Sequence, residues 1–408
     1  MILNWHFSIA TFTILVAASA CRAEADDLAP HLTTILAVGK EGRGHREAAT
    51  AWKKLAQADA AALPAVLAAL DDANPLAANW LRCAAETIAD RHLSRGQKLP
   101  ADELEKFLLD VRHNPRVRRL ALELLTKADR TAPDRLIPGM LDDPGTEFRR
   151  DAVQRLLDQA AQLNEAGSSF AATGDAVSIY LKALSGAREQ DQTETIVRAL
   201  DRLGHPVDLP EHFGLIIDWH VIGPFDNSGN KGFERSYAPE LKIDLDARYA
   251  GKTADVSWAP CCANAKYAVV DLVKAIGPGD GTAAYGVTEF AVGTERPVEL
   301  RLTTSNAWKL WVNGQLISQC DEYHRHMEPD RDETKTFMKP QFDQYRLKTE
   351  LKKGNNTILV KICQNEQNLD WAQRWQFQLR VCDEVGKAIL SKTRRNTAVN
   401  GNEPRRSH

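Results

Sequence analysis

Ala307-Trp308-Lys309-Leu310-Trp311-Val312-Asn313-Gly314-Gln315-Leu316-Ile317-Ser318 is the stretch that decides the fold of the second half of this chain. Two alternating apolar runs flank Asn313-Gly314. A type I′ turn needs positive φ at both central residues, and Asn-Gly supplies that at low cost. The stretch therefore predicts a two-residue β-hairpin. Downstream, Lys353-Gly354-Asn355-Asn356 predicts a turn that feeds a buried strand, Thr357-Ile358-Leu359-Val360-Lys361-Ile362.

Around this hairpin the pattern stays β. Strand-like runs are expected at 215–225, 267–272, 284–292, 298–303, 308–312, 315–319, 344–347, 357–363 and 375–382. In the last of these Phe377, Leu379 and Val381 alternate with Gln376, Gln378 and Arg380. Short strands separated by turn signals predict an antiparallel β-sandwich over 212–390, and the polar, basic stretch 391–408 reads as a disordered tail. The fold class expected is multidomain α and β.

The Val312-Asn313-Gly314 hairpin followed by the Asn355-Asn356-Thr357 strand resembles the galactose-binding-like jelly rolls attached to glycoside hydrolases and lectins. Trp219-His220-Val221-Ile222-Gly223-Pro224-Phe225-Asp226 is similar to a phrase at the head of sandwich modules in bacterial envelope proteins. The resemblance implies a sugar-binding module. Lectins of the protective-antigen type carry an Asp-Asp-Gly phrase just before the hairpin, where the aspartates hold calcium. Ser305-Asn306-Ala307 stands there in this chain, so that calcium chemistry does not carry over.

From Asp27 to Gly204 the chain reads as helix, rich in Ala and Leu and punctuated by Pro or Gly. Leu81-Arg82-x-x-Ala85, Val117-Arg118-x-x-Ala121 and Phe148-Arg149-x-x-Ala152 share one phrase at intervals of 36 and 31 residues, and His45-Arg46-x-x-Ala49 is a degenerate first copy. The three full copies follow turns at Asn74-Pro75, Asn114-Pro115 and Asp143-Pro144, where Asn or Asp caps a helix and Pro fills its first turn. The spacing and phrase resemble HEAT repeats and imply an α-solenoid over 27–205 that presents a surface to a protein partner. The cluster Arg116, Arg118, Arg119 reads as a solvated face.

The apolar run 7–20 is too short to span a bilayer and ends in Ala18-Ser19-Ala20, a pattern suited to signal peptidase. Residues 1–22 are read as a signal peptide. Ala18-Ser19-Ala20-Cys21 resembles a lipobox, which makes Cys21 a lipidation candidate. The expected location is outside the cytoplasm, with membrane attachment only through the signal or a lipid. The 52 basic and 55 acidic residues nearly balance, which argues against a general nucleic-acid binder.

Ligand-binding candidates lie in the connection after the 357–363 strand. Trp371 offers a flat apolar face suited to a pyranose, and Gln364, Asn365, Gln367, Asn368 and Asp370 offer amides and a carboxylate for its hydroxyls. Trp375, beside an alternating strand, reads as core. The acidic loop 320–333 contains Asp330-x-Asp332, a weak metal candidate without the Gly and distal Glu of a calcium loop. No cofactor is expected, and no nucleophile elbow, zinc-protease helix or phosphate loop is present.

Three functions stay open at this point. The first is a non-catalytic extracytoplasmic binding or scaffold protein for carbohydrate or a surface polymer. The second is a purely structural assembly protein. The third is a hydrolase accessory fragment. If the strands 357–364 and 375–382 form a hairpin, Cys363 and Cys382 stand too far apart for a disulfide.

Overall fold

The computed structural model describes residues 28–166, 170–263, 266–324, 327–329, 338–367, 369 and 372–394. The signal segment 1–22, Cys21, Asp330, Asp332, Asn368, Asp370, Trp371 and residues 395–408 lie outside the described residues. No described helix is long and apolar enough to cross a membrane. The fold is mixed, with helices first and antiparallel sheets after, and the chain divides into two compact units between Ala187 and Arg188.

The first unit is all helix: α1 (28–36), α2 (His45–Leu55), α3 (Leu63–Leu70), α4 (Pro75–Ser94), α5 (Ala101–Leu109), α6 (Pro115–Ala128), α7 (Ala132–Leu136), α8 (Thr146–Ala166) and α9 (Phe170–Gly186). The repeated phrase explains much of its packing. Leu81, Val117 and Phe148 are buried, as are Ala85, Ala121 and Ala152. In the first copy the buried alanine is Ala48 rather than Ala49, so that copy is out of step by one residue. Asn74 Oδ1 accepts the N–H groups of Leu76 and Ala77, while its Nδ2 donates to Val38 O at 2.8 Å, 36 residues back. One side chain thus caps its own helix and ties it to the preceding pair. The same reach recurs in Lys127 to Asp90 (2.7 Å) and Arg82 to Glu123 (2.7 Å). Helix α3 contacts α5, and α4 contacts α6.

Arg118 corrects the solvated-face expectation. It is 1 % exposed, and its guanidinium grips Asp143 through two bonds of 2.9 and 2.6 Å while Nε donates to Leu108 O at 2.6 Å. Asp143 is therefore committed to this pair and to Gly145 N (2.7 Å), and α8 starts three residues later at Thr146. Only Arg116 of the cluster is exposed.

The second unit begins with α10 (Gln190–Arg202). Sequence reading joins this helix to the repeats. In the structure Val197 belongs to the core of the β unit, and Glu194 accepts the hydroxyl of Tyr267. After α11 (Leu209–Phe213) come β1 (Asp218–Asp226), α12 (Ala238–Leu241), β2 (Arg248–Ala250), β3 (Asp255–Ser257), β4 (Ala259–Cys262), β5 (Val270–Asp271) and α13 (Leu272–Ile276). They are followed by β6 (Thr282–Val292), β7 (Arg296–Thr303), β8 (Ala307–Val312), β9 (Gln315–Cys320), β10 (Met327–Pro329) and β11 (Met338–Pro340). The last three strands are β12 (Tyr345–Leu351), β13 (Gly354–Gln364) and β14 (Gln376–Cys382).

Each expected strand run overlaps a strand. The run at 267–272 is cut short because Asp271 Oδ1 accepts Lys274 N at 3.1 Å and starts α13.

Two main antiparallel sheets form, ordered β4-β1-β6-β13-β8-β9 and β12-β7-β14-β5, and two small hairpins pair β2 with β3 and β10 with β11. A shared core joins Leu310, Val312, Ile358, Val360 and Ile362 of the first to Leu300, Leu302, Phe377, Leu379 and Val381 of the second. The Asn313-Gly314 turn is as expected, with φ of +52° and +80°. The β13–β14 hairpin is not: β13 pairs with β6 and β8, β14 with β7 and β5. Cys363 and Cys382 are both free, though the hairpin geometry argued for this does not exist.

The larger sheet buries its second face as well. The excursion 227–262 lays Phe233 and Trp258 over Ile222, Phe225, Tyr285, Trp311 and Leu359. This cover takes in two lysines. Lys361 is 0 % exposed and donates to Phe233 O (3.1 Å), Arg235 O (2.7 Å) and Glu240 Oε1 (2.8 Å). Lys309 lies over the Phe233 ring and reaches Glu234 at 3.4 Å. On the outer face of the smaller sheet, Asp343 holds Arg380 at 2.6 and 2.5 Å and Arg301 at 2.9 Å. Buried charges of this kind persist only when paired and fully hydrogen-bonded.

Candidate functional site

One end of the β unit gathers the connections that leave β1, β9 and β13, those that enter β6 and β8, and the tip of the β2–β3 hairpin. They are bonded to one another. Asn227 N donates to Gly281 O at 2.8 Å, Gly281 N to Asn365 O at 3.3 Å, and His324 N to Ser305 O at 2.6 Å. Gly229 N donates to Glu366 Oε2 (3.3 Å) and Gln367 N to Asp280 Oδ1 (3.3 Å). Asn227 is fully buried, and its Nδ2 donates to both Tyr323 Oη (3.0 Å) and Gln364 O (2.9 Å). Backbone groups that strands leave unpaired at their ends find partners here in neighbouring loops.

Three side chains of this end, Tyr323, Asn365 and Gln367, are partly exposed and keep hydrogen-bonding capacity left over among the described residues, and His324 stands beside them. Tyr323 accepts from Asn227, and no described residue accepts its own proton. Burial pushes its phenol up to about 12, so the proton stays on. His324 is half-buried, with Nε2 3.3 Å from Asn365 Oδ1; burial lowers its pKa and outweighs that bond, which favours the neutral ring. Asn365 keeps its Nδ2 without a partner among the described residues. Gln367 accepts Leu369 N on Oε1 at 2.8 Å and leaves Nε2 in the same state. Mostly uncharged donors and acceptors at fixed spacing suit a polyhydroxylated ligand.

Of the sequence candidates, Asn365 and Gln367 fall at this end with groups to offer. Gln364 does not. It is 2 % exposed; its Oε1 accepts Asn306 Nδ2 and its Nε2 donates to Ala372 O, both at 2.8 Å, so it straps the loop. Trp375 is core as expected, its indole N–H bonded to Ile362 O at 3.2 Å. Ser305 and Asn306, just before the Asn313-Gly314 hairpin, are buried, and Asn306 Oδ1 accepts Gln376 N at 3.3 Å. Among the described residues no group of three or more His, Cys, Asp or Glu is placed to hold a metal.

Sequence reading overlooked Asn227, Tyr323 and Lys252. Tyr323 sat in a loop judged only for metal ligands, and Asn227 reaches its partners from 96 and 137 residues away.

Away from this end, a concavity of about 860 Å³ runs past the start of β1. Its lining includes His220, Pro260, Cys261, Ile243, Leu245 and Leu390. Leu245 and Leu390 are exposed, as is Leu241 nearby in sequence.

No family model matches the chain, and no curated protein matches it. Among solved structures, the selenomethionine-labelled β-glucosidase from Kluyveromyces marxianus is similar at a TM-score of 0.26 and 12 % identity. The match covers 74 % of this chain and 36 % of that one. The same yeast enzyme in complex with glucose gives 0.23 and 11 %, covering 79 % and 38 %. The chain thus spans little more than a third of those structures, and likenesses at these scores fix neither fold nor activity.

Proposed function

We propose that this is a non-catalytic binding or scaffold protein that works outside the cytoplasm. In this reading the first unit is a HEAT-like solenoid that contacts a protein. The second is a jelly-roll sandwich whose loop end takes carbohydrate or a cell-surface polymer. The observation that supports it is the loop end itself, where Tyr323, Asn365 and Gln367 offer uncharged groups on a frame cross-bonded through buried Asn227. Ladders of bonds at about 36-residue reach, such as Asn74 to Val38 and Lys127 to Asp90, support the solenoid.

A glycan array probed with the full chain tests the reading. Binding to a defined sugar set, lost in Asn365→Ala and weakened in Tyr323→Phe, is expected. Absence of any glycan binding, with both variants folded, would reject it. The exposed Leu245 and Leu390 in the lining of the concavity past β1 favour a competing reading, an assembly protein with protein contacts only.

A further inference from the structure

The tip of the β2–β3 hairpin carries Lys252 into the loop end. Its backbone N–H donates to Pro224 O at 2.8 Å, which fixes the tip against the end of β1. Its ammonium donates to two main-chain carbonyls, Asp280 O at 3.0 Å and Gly281 O at 2.8 Å. Carbonyls converging on one point repel each other unless a positive charge sits between them. Gly281 O also accepts Asn227 N, so the ammonium pins the same carbonyl that anchors the buried hub.

Two carboxylates lie in the neighbourhood of this charge without an ion pair to it. Asp226 is held below its usual range, first by Ser228 Oγ and N and then by the positive charges of Lys252 and Arg235. Glu366 arrives from the β13 side: a Cβ added to Gly281, whose φ is +57°, would lie 2.8 Å from Glu366 Cγ and 3.1 Å from Lys252 Nζ. The two side chains therefore close over the bare glycine together. An ammonium has three donors, and two are spoken for here.

We propose that Lys252 is the resident cation of the loop end: a tethered ammonium that gathers the Asp280 and Gly281 carbonyls and keeps one further N–H beyond them. A metal ion bound to oxygen ligands would play this organising part in other sites. Here the cation is covalently part of the chain, so the loops are ordered without any metal. If the carbohydrate reading holds, ligand binding at this end is indifferent to chelators; that corollary rests on the proposed function, whereas the ammonium's role does not.

The test needs no sugar. In Lys252→Ala full-length protein, the melting transition of the second unit should fall by several degrees and proteolysis within 277–281 should quicken. Ethylammonium chloride should restore at least half of the loss, and sodium chloride at equal ionic strength should not. Lys252→Gln, which keeps N–H donors but no charge, should fold and sit between the two. An unchanged transition in Lys252→Ala would overturn the proposal, as would equal recovery in the two salts. So would a Lys252→Gln protein as stable as the parent.

Discussion

Arg118→Ala should melt the helical unit far below its normal temperature. The Arg118 side chain is 1 % exposed and that of Asp143 is 5 %. Removing the guanidinium strips Asp143 of two charge-assisted bonds and leaves Leu108 O without its donor. It also uncovers Phe148, whose ring lies 4.8 Å from Arg118 Cζ. Breaking one partner out of a buried pair costs about 3–5 kcal/mol, because the other charge stays behind in a poor solvent. For a body of this size each kcal/mol moves the midpoint by about 2–4 °C, so a fall of about 6–20 °C is expected. Differential scanning calorimetry of the full chain reads it. Arg116→Ala, one turn-neighbour away but exposed, should shift by no more than about 0.5 kcal/mol. Arg118→Lys should fail to rescue, since an ammonium cannot make the two-pronged contact. The reasoning is refuted if Arg118→Ala melts like Arg116→Ala. The double variant Arg118→Met, Asp143→Leu should regain part of the loss, because no stranded charge remains although Gly145 N and Leu108 O lose their side-chain partners.

Lys361→Met and Glu240→Ala should each destabilise the second unit, the first by leaving the largely buried Glu240 carboxylate with only the Tyr285 hydroxyl and the second by leaving the Lys361 ammonium with only carbonyl partners; urea midpoints of the two variants check this. Acid should loosen the His324 loop. Its folded pKa lies below the usual 6.5, so the neutral ring contributes stability that is full above the unfolded value of 6.5 and is lost as pH falls from there through the lower folded pKa. The second unit's melting temperature should drop in that window, and His324→Gln should flatten the drop. Gly314→Val should cost the second unit about 1–3 kcal/mol through a β-branched residue at φ +80°, although open space surrounds the site. A calorimetric trace with both units unchanged would refute it.

Local chemistry was legible in the sequence wherever neighbours decide it. Asn313-Gly314 dictates its own turn, Asn74 and Asn114 cap the helices that follow them, and Phe377, Leu379 and Val381 share a face by pleat alone. What failed depended on distant partners. Alternation along β8 suggests that Lys309 meets water, yet the excursion 227–262 covers that face and leaves it 8 % exposed. Arg118 looks like its neighbours in the sequence, and only Asp143, 25 residues on, draws it inward. Gln364 has the composition of a ligand amide, but Asn306 and Ala372 consume both ends of it. Strand order is equally silent in one sequence: nothing in 357–364 announces that β6, not β14, lies beside it.

Two fully buried thiols give the molecule a pair of internal clocks. Cys363 lies under the 227–262 layer, where burial pushes its thiol up to about 12, and Cys382 lies on the outer face of the smaller sheet, its Sγ 3.6 Å from Glu299 O. A thiol reagent meets neither until the layer above it lifts. Cys262 and Cys83, both exposed, react at once and set the zero of time. The rate at which the slow thiols follow measures how often each layer opens, separately and in the unaltered protein. Equal rates would mean that both layers part only when the whole sheet pair does; a faster Cys363 would make the 227–262 excursion a door on an otherwise closed body.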